Sequence, residues 1–98
     1  MFKSRKLSLK DQILEIGKTQ LKVHGYSEYE IKEFHIDVQY LETKNVVRMY
    51  IRSFGHGNQY FDKEDLGMAL NKNTFKMFHL RMIELVNRHI FRRLEDAN

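Results

Sequence analysis

Phe34–Phe54 reads FHIDVQYLETKNVVRMYIRSF, and the period of this stretch decides the fold. Phe34, Ile36, Val38 and Tyr40 alternate with His35, Asp37, Gln39 and Leu41, the two-residue rhythm of a half-buried strand. Glu42-Thr43-Lys44-Asn45 breaks the rhythm as a polar turn. Val47, Met49 and Ile51 then alternate with Arg48, Tyr50 and Arg52 as far as Phe54. Two such runs about a short polar connection predict an antiparallel hairpin. A lone hairpin is marginal in water, so this one must lie against helices.

Helices are predicted on both sides of it. Over 8–24, Leu9, Ile13, Ile16, Gln20 and Val23 recur at spacings of three and four, with Leu14 and Leu21 widening the stripe. Ser8 is placed to cap this helix and Gly25 to stop it. Ser27-Glu28-Tyr29-Glu30 has the capping-box pattern and predicts a short helix over 28–33. Beyond the hairpin, residues 53–59 read as a loop around Gly55 and Gly57, with Tyr60 and Phe61 available for a short third strand. Asp62 then reads as the cap of another short helix reaching Leu70. After Asn71-Lys72-Asn73, with Asn73 or Thr74 as cap, the longest helix is predicted over 74–94. Phe75, Phe78, Met82, Leu85 and Val86 form its main stripe. Leu80, Ile83, Ile90, Phe91 and Leu94 extend the apolar surface past half the circumference, more than a helix on a small domain needs. The expected architecture is α+β: the hairpin packed against an N-terminal helix and a long C-terminal helix.

The chain has 98 residues, 42% of them hydrophobic, which fits a single domain over 8–98 preceded by a flexible basic arm at 1–7. Its net charge is +4, and the arm holds most of the excess in Lys3, Arg5 and Lys6, with Lys10 close behind. The remainder is polarised, acidic over 11–42 and basic over 43–98. With no cysteine, disulfides and thiolate metal sites are excluded, which suits a reducing cytoplasm. No apolar run is long enough for a membrane span, and Met1–Lys10 lacks the core of a secretory signal. The expected location is cytoplasmic, with no membrane partner.

Catalytic and metal chemistry finds little purchase. No two of His24, His35, His56, His79 and His89 are spaced as a helical metal pair, so no metal or cofactor is expected. His79 and His89 project near the apolar stripe of the last helix, where a hydrogen-bonded core or interface histidine is the common outcome. Gly55-His56-Gly57 lacks the third glycine and the abutting helix of a phosphate-binding loop, and reads as a turn. Ser8 and Ser27 are caps, Ser4 lies in the arm and Ser53 at a strand end, so no nucleophile has a recognisable setting. A non-enzymatic role follows.

Two surfaces invite binding. Leu80, Ile83, Ile90, Phe91 and Leu94 would suit a protein partner or a second copy, as in a small regulator, inhibitor or assembly factor. The rival is nucleic acid, met by Lys3, Arg5, Lys6, by Arg48, Tyr50 and Arg52 on one strand face, and by Arg81, Arg88 and Arg92 along the last helix. A small ligand held around Gly55 to Tyr60 is a third class without a positive signature. The composition, rich in Lys, Asn, Ile, Phe and Tyr, suits an accessory protein of an AT-rich phage or plasmid.

The order helix, short helix, hairpin, short helix, long helix resembles that of winged-helix proteins. Segment 28–33 carries Glu28, Glu30 and Glu33 against Lys32, however, and would repel a phosphate backbone, so the family's function is not carried over. Helix, sheet, helix is also similar to double-stranded-RNA-binding modules, but Asn73-Thr74-Phe75-Lys76 does not supply the lysine cluster that opens their last helix.

Overall fold

A computed structural model describes residues 7–97; the basic residues Lys3, Arg5 and Lys6 lie outside them. The element order is α1 (Leu9–Val23), α2 (Glu28–Ile31), β1 (His35–Leu41), a single 3-10 turn (Glu42–Lys44), β2 (Val46–Gly55), β3 (Asn58–Leu66) and α3 (Phe75–Asp96). The three strands form one antiparallel sheet in the order β1-β2-β3. Helices and sheet together make an α+β fold.

The local signals act as their chemistry dictates. Ser8 Oγ accepts from the Asp11 amide at 3.1 Å, and Gly25 leaves α1 at φ +95°. At α2 the capping box is complete: Ser27 Oγ accepts from the Glu30 amide, and Glu30 Oε1 accepts from the Ser27 amide. Hydrogen bonding from the Ser27 amide, and secondarily from the Ser27 side chain, holds the Glu30 carboxyl below its usual value. The face of α1 that is buried runs Ile13, Gly17, Leu21, whereas Val23 is 71% exposed. Gly17 belongs to that face because a Cβ there would stand 3.1 Å from Ile36 and 3.2 Å from Met82, so the helix sits directly on the sheet and on α3.

Inward-facing positions on the strands pair Ile36 with Ile51 and Val38 with Met49, and Val47 with Leu66. They meet Ile13 and Leu21 of α1 and Phe78, Met82, Leu85, Val86 and Ile90 of α3 in one buried cluster. Both helices therefore cover the same face of the sheet, and the other face is open.

Sequence and structure part company at Asp62. No helix follows it; β3 runs through to Leu66, so the winged-helix element order is also lost. Inward positions of β3 are Tyr60, Asp62, Glu64 and Leu66, an apolar–acid mixture that hides the two-residue period. The acids are accommodated because α3 supplies their counterions: Arg81 pairs with Glu64, and Arg92 donates to Asp62 at 3.0 Å. Thr74 stands at the N-cap of α3, one of the two residues expected there. It makes no side-chain bond to the first helical amides; its hydroxyl donates to the Ala69 carbonyl, and Asn71 Oδ1 accepts from the amides of Asn73 and Thr74.

Gly55–Gly57 belongs to a tight hairpin. Gly55 pairs with Asn58, leaving His56 and Gly57 as a two-residue loop, both at positive φ (53° and 76°). Pairing at this loop sets the alternation along β3, so that Phe61 and Lys63 point their backbone groups away from β2. Their carbonyls accept from Arg92 and Arg88, which clip the outer edge of β3 to α3.

Candidate nucleic-acid interface

On the open face, register brings together side chains that are far apart in sequence. Arg52 lies directly between His35 of β1 and Phe61 of β3, with Tyr50 and Phe54 two residues either side of it on β2. The rings form a connected row. His35 stacks on Tyr50 with centroids 5.7 Å apart, and Tyr50 lies 5.6 Å from Phe61. Phe54 is 70% exposed and Phe61 45%. Arg52 is exposed and forms no hydrogen bond or ion pair among the described residues. An unpaired guanidinium whose neighbouring strand positions carry four aromatic side chains can contact phosphate beside rings that stack on planar groups.

Arg48 is differently placed. Its Nε and Nη2 donate to Asp65 at 2.7 and 3.0 Å, a fork on the residue directly opposite in β3. Arg48, joined by Lys63, holds the Asp65 carboxyl down to about 2, and the Arg48 guanidinium is in turn raised above its usual value. The face thus presents Arg48 and Lys63, both paired with Asp65, and the unpaired Arg52, with Asp37 opposite Tyr50 as a second acid.

The arginines of α3 are drawn inward. Arg81 and Arg88 lie against Glu64, Arg88 also approaches Asp62 at 3.8 Å, and Arg92 bonds Asp62 and the Phe61 carbonyl. Of the nucleic-acid residues expected from the sequence, Arg48, Tyr50 and Arg52 share the open face, whereas Arg81, Arg88 and Arg92 are engaged in fastening α3 to β3. Among the expected partner-binding residues, Ile90 is 2% exposed and belongs to the core, and Ile83 is half-buried beside α1. Leu80, Phe91 and Leu94 remain exposed at 51, 64 and 56%. His35, Phe54 and Phe61 were missed as site residues; His35 and Phe61 become neighbours of Arg52 only through the register of all three strands.

A second polar constellation lies inside. Ser53 Oγ is 2.6 Å from His89 Nε2, and His89 Nδ1 is 2.5 Å from Asp62 Oδ2. Arg93 Nη1 donates to Ser53 Oγ and to the Phe54 carbonyl, both at 2.8 Å, with its guanidinium over the Phe34 and Tyr60 rings. With a neutral imidazole, Nδ1–H donates to the Asp62 carboxylate and Nε2 accepts from the serine hydroxyl, so both ring nitrogens are satisfied, while the buried Arg93 Nε has no partner among the described residues. Burial depresses the His89 pKa most, and the Asp62 carboxylate pulls the other way without overcoming it. The connectivity is that of a serine nucleophile relay. Ser53 is 2% exposed, however, and already carries Arg93, so no substrate carbonyl reaches Oγ in this arrangement. Its evident work is to fasten β2 and β3 to α3 through polar bonds in an apolar setting.

Among the described residues no group of His, Asp and Glu is arranged to hold a metal ion, and no helix is long and apolar enough to cross a membrane. Comparison with protein-family models, curated proteins and solved structures found no match.

Proposed function

We propose that this protein binds single-stranded nucleic acid on the open face of its sheet, as a stoichiometric, non-catalytic partner. The observation that carries the reading is Arg52, exposed and unpaired among the described residues, at the centre of His35, Tyr50, Phe54 and Phe61. Unpaired bases offer ring faces to such a surface, whereas the bases of a duplex are stacked on one another. Lys63 and Arg48 share Asp65 and together leave one net positive charge beside it. Lys3, Arg5 and Lys6, with the net charge of +4, add sequence-independent attraction to phosphate.

Fluorescence anisotropy with labelled single-stranded DNA and RNA, and with a matching duplex competitor, tests the proposal. Tyr50→Ala and Phe61→Ala should each weaken single-strand binding by about tenfold or more, since base–aromatic stacking is worth about 1–3 kcal/mol per base. Arg52→Ala should lower the salt slope by about one counterion. Absence of binding at low salt would sink the reading, and so would alanine variants that bind as the wild type does.

A further inference from the structure

The exposed side of α3 points to a second copy of this chain. Met77, Leu80, Glu84, Asn87, Phe91 and Leu94 follow one another at spacings of three and four, so they form a single seam. All six are exposed, and the seam lies opposite the buried line Phe78, Met82, Leu85, His89. A spacing of 3.5 residues favours packing against another helix at a shallow angle.

The order of the seam is what identifies its occupant. Read from either end it runs apolar, apolar, polar, polar, apolar, apolar. An antiparallel partner of identical sequence therefore brings Met77 against Leu94, Leu80 against Phe91 and Glu84 against Asn87, each twice about one two-fold axis. A parallel copy would instead stack Glu84 on Glu84, placing like charges in an apolar seam. Hydrogen bonding supports the same arrangement. Asn87 Oδ1 accepts from Gln20 Nε2 at 2.7 Å and lies 2.8 Å from His24 Nε2, which leaves the Asn87 amide hydrogens to donate outward. Glu84 makes no hydrogen bond or ion pair among the described residues and offers the acceptor. A polar layer in the middle of an apolar seam is a known device for setting register and orientation. We infer that the protein forms an antiparallel homodimer through α3, with Leu80–Phe91 as its apolar layers and Glu84–Asn87 at its centre. This surface faces away from the sheet, and the inference stands independently of what the sheet binds.

Because the chain has no cysteine, single thiols can report the register. Leu80→Cys and Phe91→Cys proteins, each alone and mixed, would be treated with a short bis-maleimide at micromolar concentration. The mixture should give a linked species of twice 11.9 kDa several-fold more efficiently than either variant alone. Equal linking in all three samples, or none, would overturn the antiparallel register. Light scattering of the wild type over rising concentration should approach twice the monomer mass. Leu80→Glu with Phe91→Glu should remain monomeric with unchanged circular dichroism, because both sites are exposed. A wild type that stays monomeric throughout would overturn the dimer itself.

Discussion

Replacing His89 with leucine keeps an apolar volume in the core and removes both ring nitrogens. Asp62 then loses the donor 2.5 Å away, retaining Arg92 at 3.0 Å and the more distant Arg88. A hydrogen bond to a charged group is worth about 1.5–3 kcal/mol, and a buried hydroxyl left without an acceptor costs about 1–3 kcal/mol. Arg93 still donates to the Ser53 oxygen, whereas the Ser53 hydroxyl proton loses its acceptor, and leucine recovers some transfer free energy. The expected loss is about 2–4 kcal/mol out of the roughly 5–15 kcal/mol typical of a domain of this size. Urea unfolding followed by circular dichroism at neutral pH measures it. The pH dependence supplies a second, independent readout. In the folded chain burial holds the His89 pKa below its ordinary 6.5, with Arg92 and Arg93 disfavouring the imidazolium and Asp62 opposing them. Above 6.5 the imidazole is neutral in both states and contributes no slope. As pH falls below 6.5, the unfolded chain takes up a proton that the folded chain refuses until its own lower pKa is reached. Stability therefore drops over this window, with a limiting slope of about 1.4 kcal/mol per pH unit. The leucine variant should lack that component. A loss under about 1 kcal/mol at neutral pH, or the same pH slope in both proteins, would refute the account of the buried relay.

Asp65→Asn removes the carboxylate that Arg48 grips. Because the pair is partly solvated, stability should change by no more than about 1 kcal/mol, while affinity for single strands should rise as Arg48 is released toward phosphate; unchanged or weaker binding would contradict this. The Asp65 carboxyl lies at about 2 in the folded chain. Its contribution is thus present above the ordinary carboxylate pKa and disappears as pH falls through about 2, which acid titration of the wild type and Asp65→Asn compares. His56 occupies a left-handed conformation at φ 53°, which asparagine tolerates better. His56→Asn should therefore raise stability by about 0.5–1 kcal/mol, read from urea unfolding, without affecting binding.

Most of the scaffold was legible because its signals are local. Ser8, Gly25 and the Ser27–Glu30 box act within one helical turn, and the alternation about Val38 and Met49 is complete within each strand. The third strand was legible only at Tyr60 and Phe61; its run on to Leu66 was not, because Asp62 and Glu64 face inward on the strength of arginines that come 17 to 30 residues later on α3. Without those partners, Asp-Lys-Glu-Asp has the composition of a helix start. His89 was recognisable as a core histidine from its place on the stripe, whereas Ser53 and Asp62 lie 36 and 27 residues away and join it only in the folded chain. The open face was half visible: Arg48, Tyr50 and Arg52 alternate on one strand, but His35 and Phe61 complete the aromatic row through pairing alone. On α3, periodicity exposed the surplus of apolar surface without separating Ile90, which lies in the core, from Phe91, which is exposed.

The guanidinium groups of Arg88 and Arg92 on the Lys63 and Phe61 carbonyls also limit where a foreign strand could pair with the sheet. An incoming strand could add beside β3 only by displacing both, so that flank does not serve as a template. On the opposite flank the Val38 amide is already turned onto Asp37 Oδ1, which shields one donor and leaves the rest of β1 open. Strand addition between molecules is therefore confined to one side of each sheet. Two copies joined there present only sealed flanks, so a continuous sheet built this way extends no further than six strands.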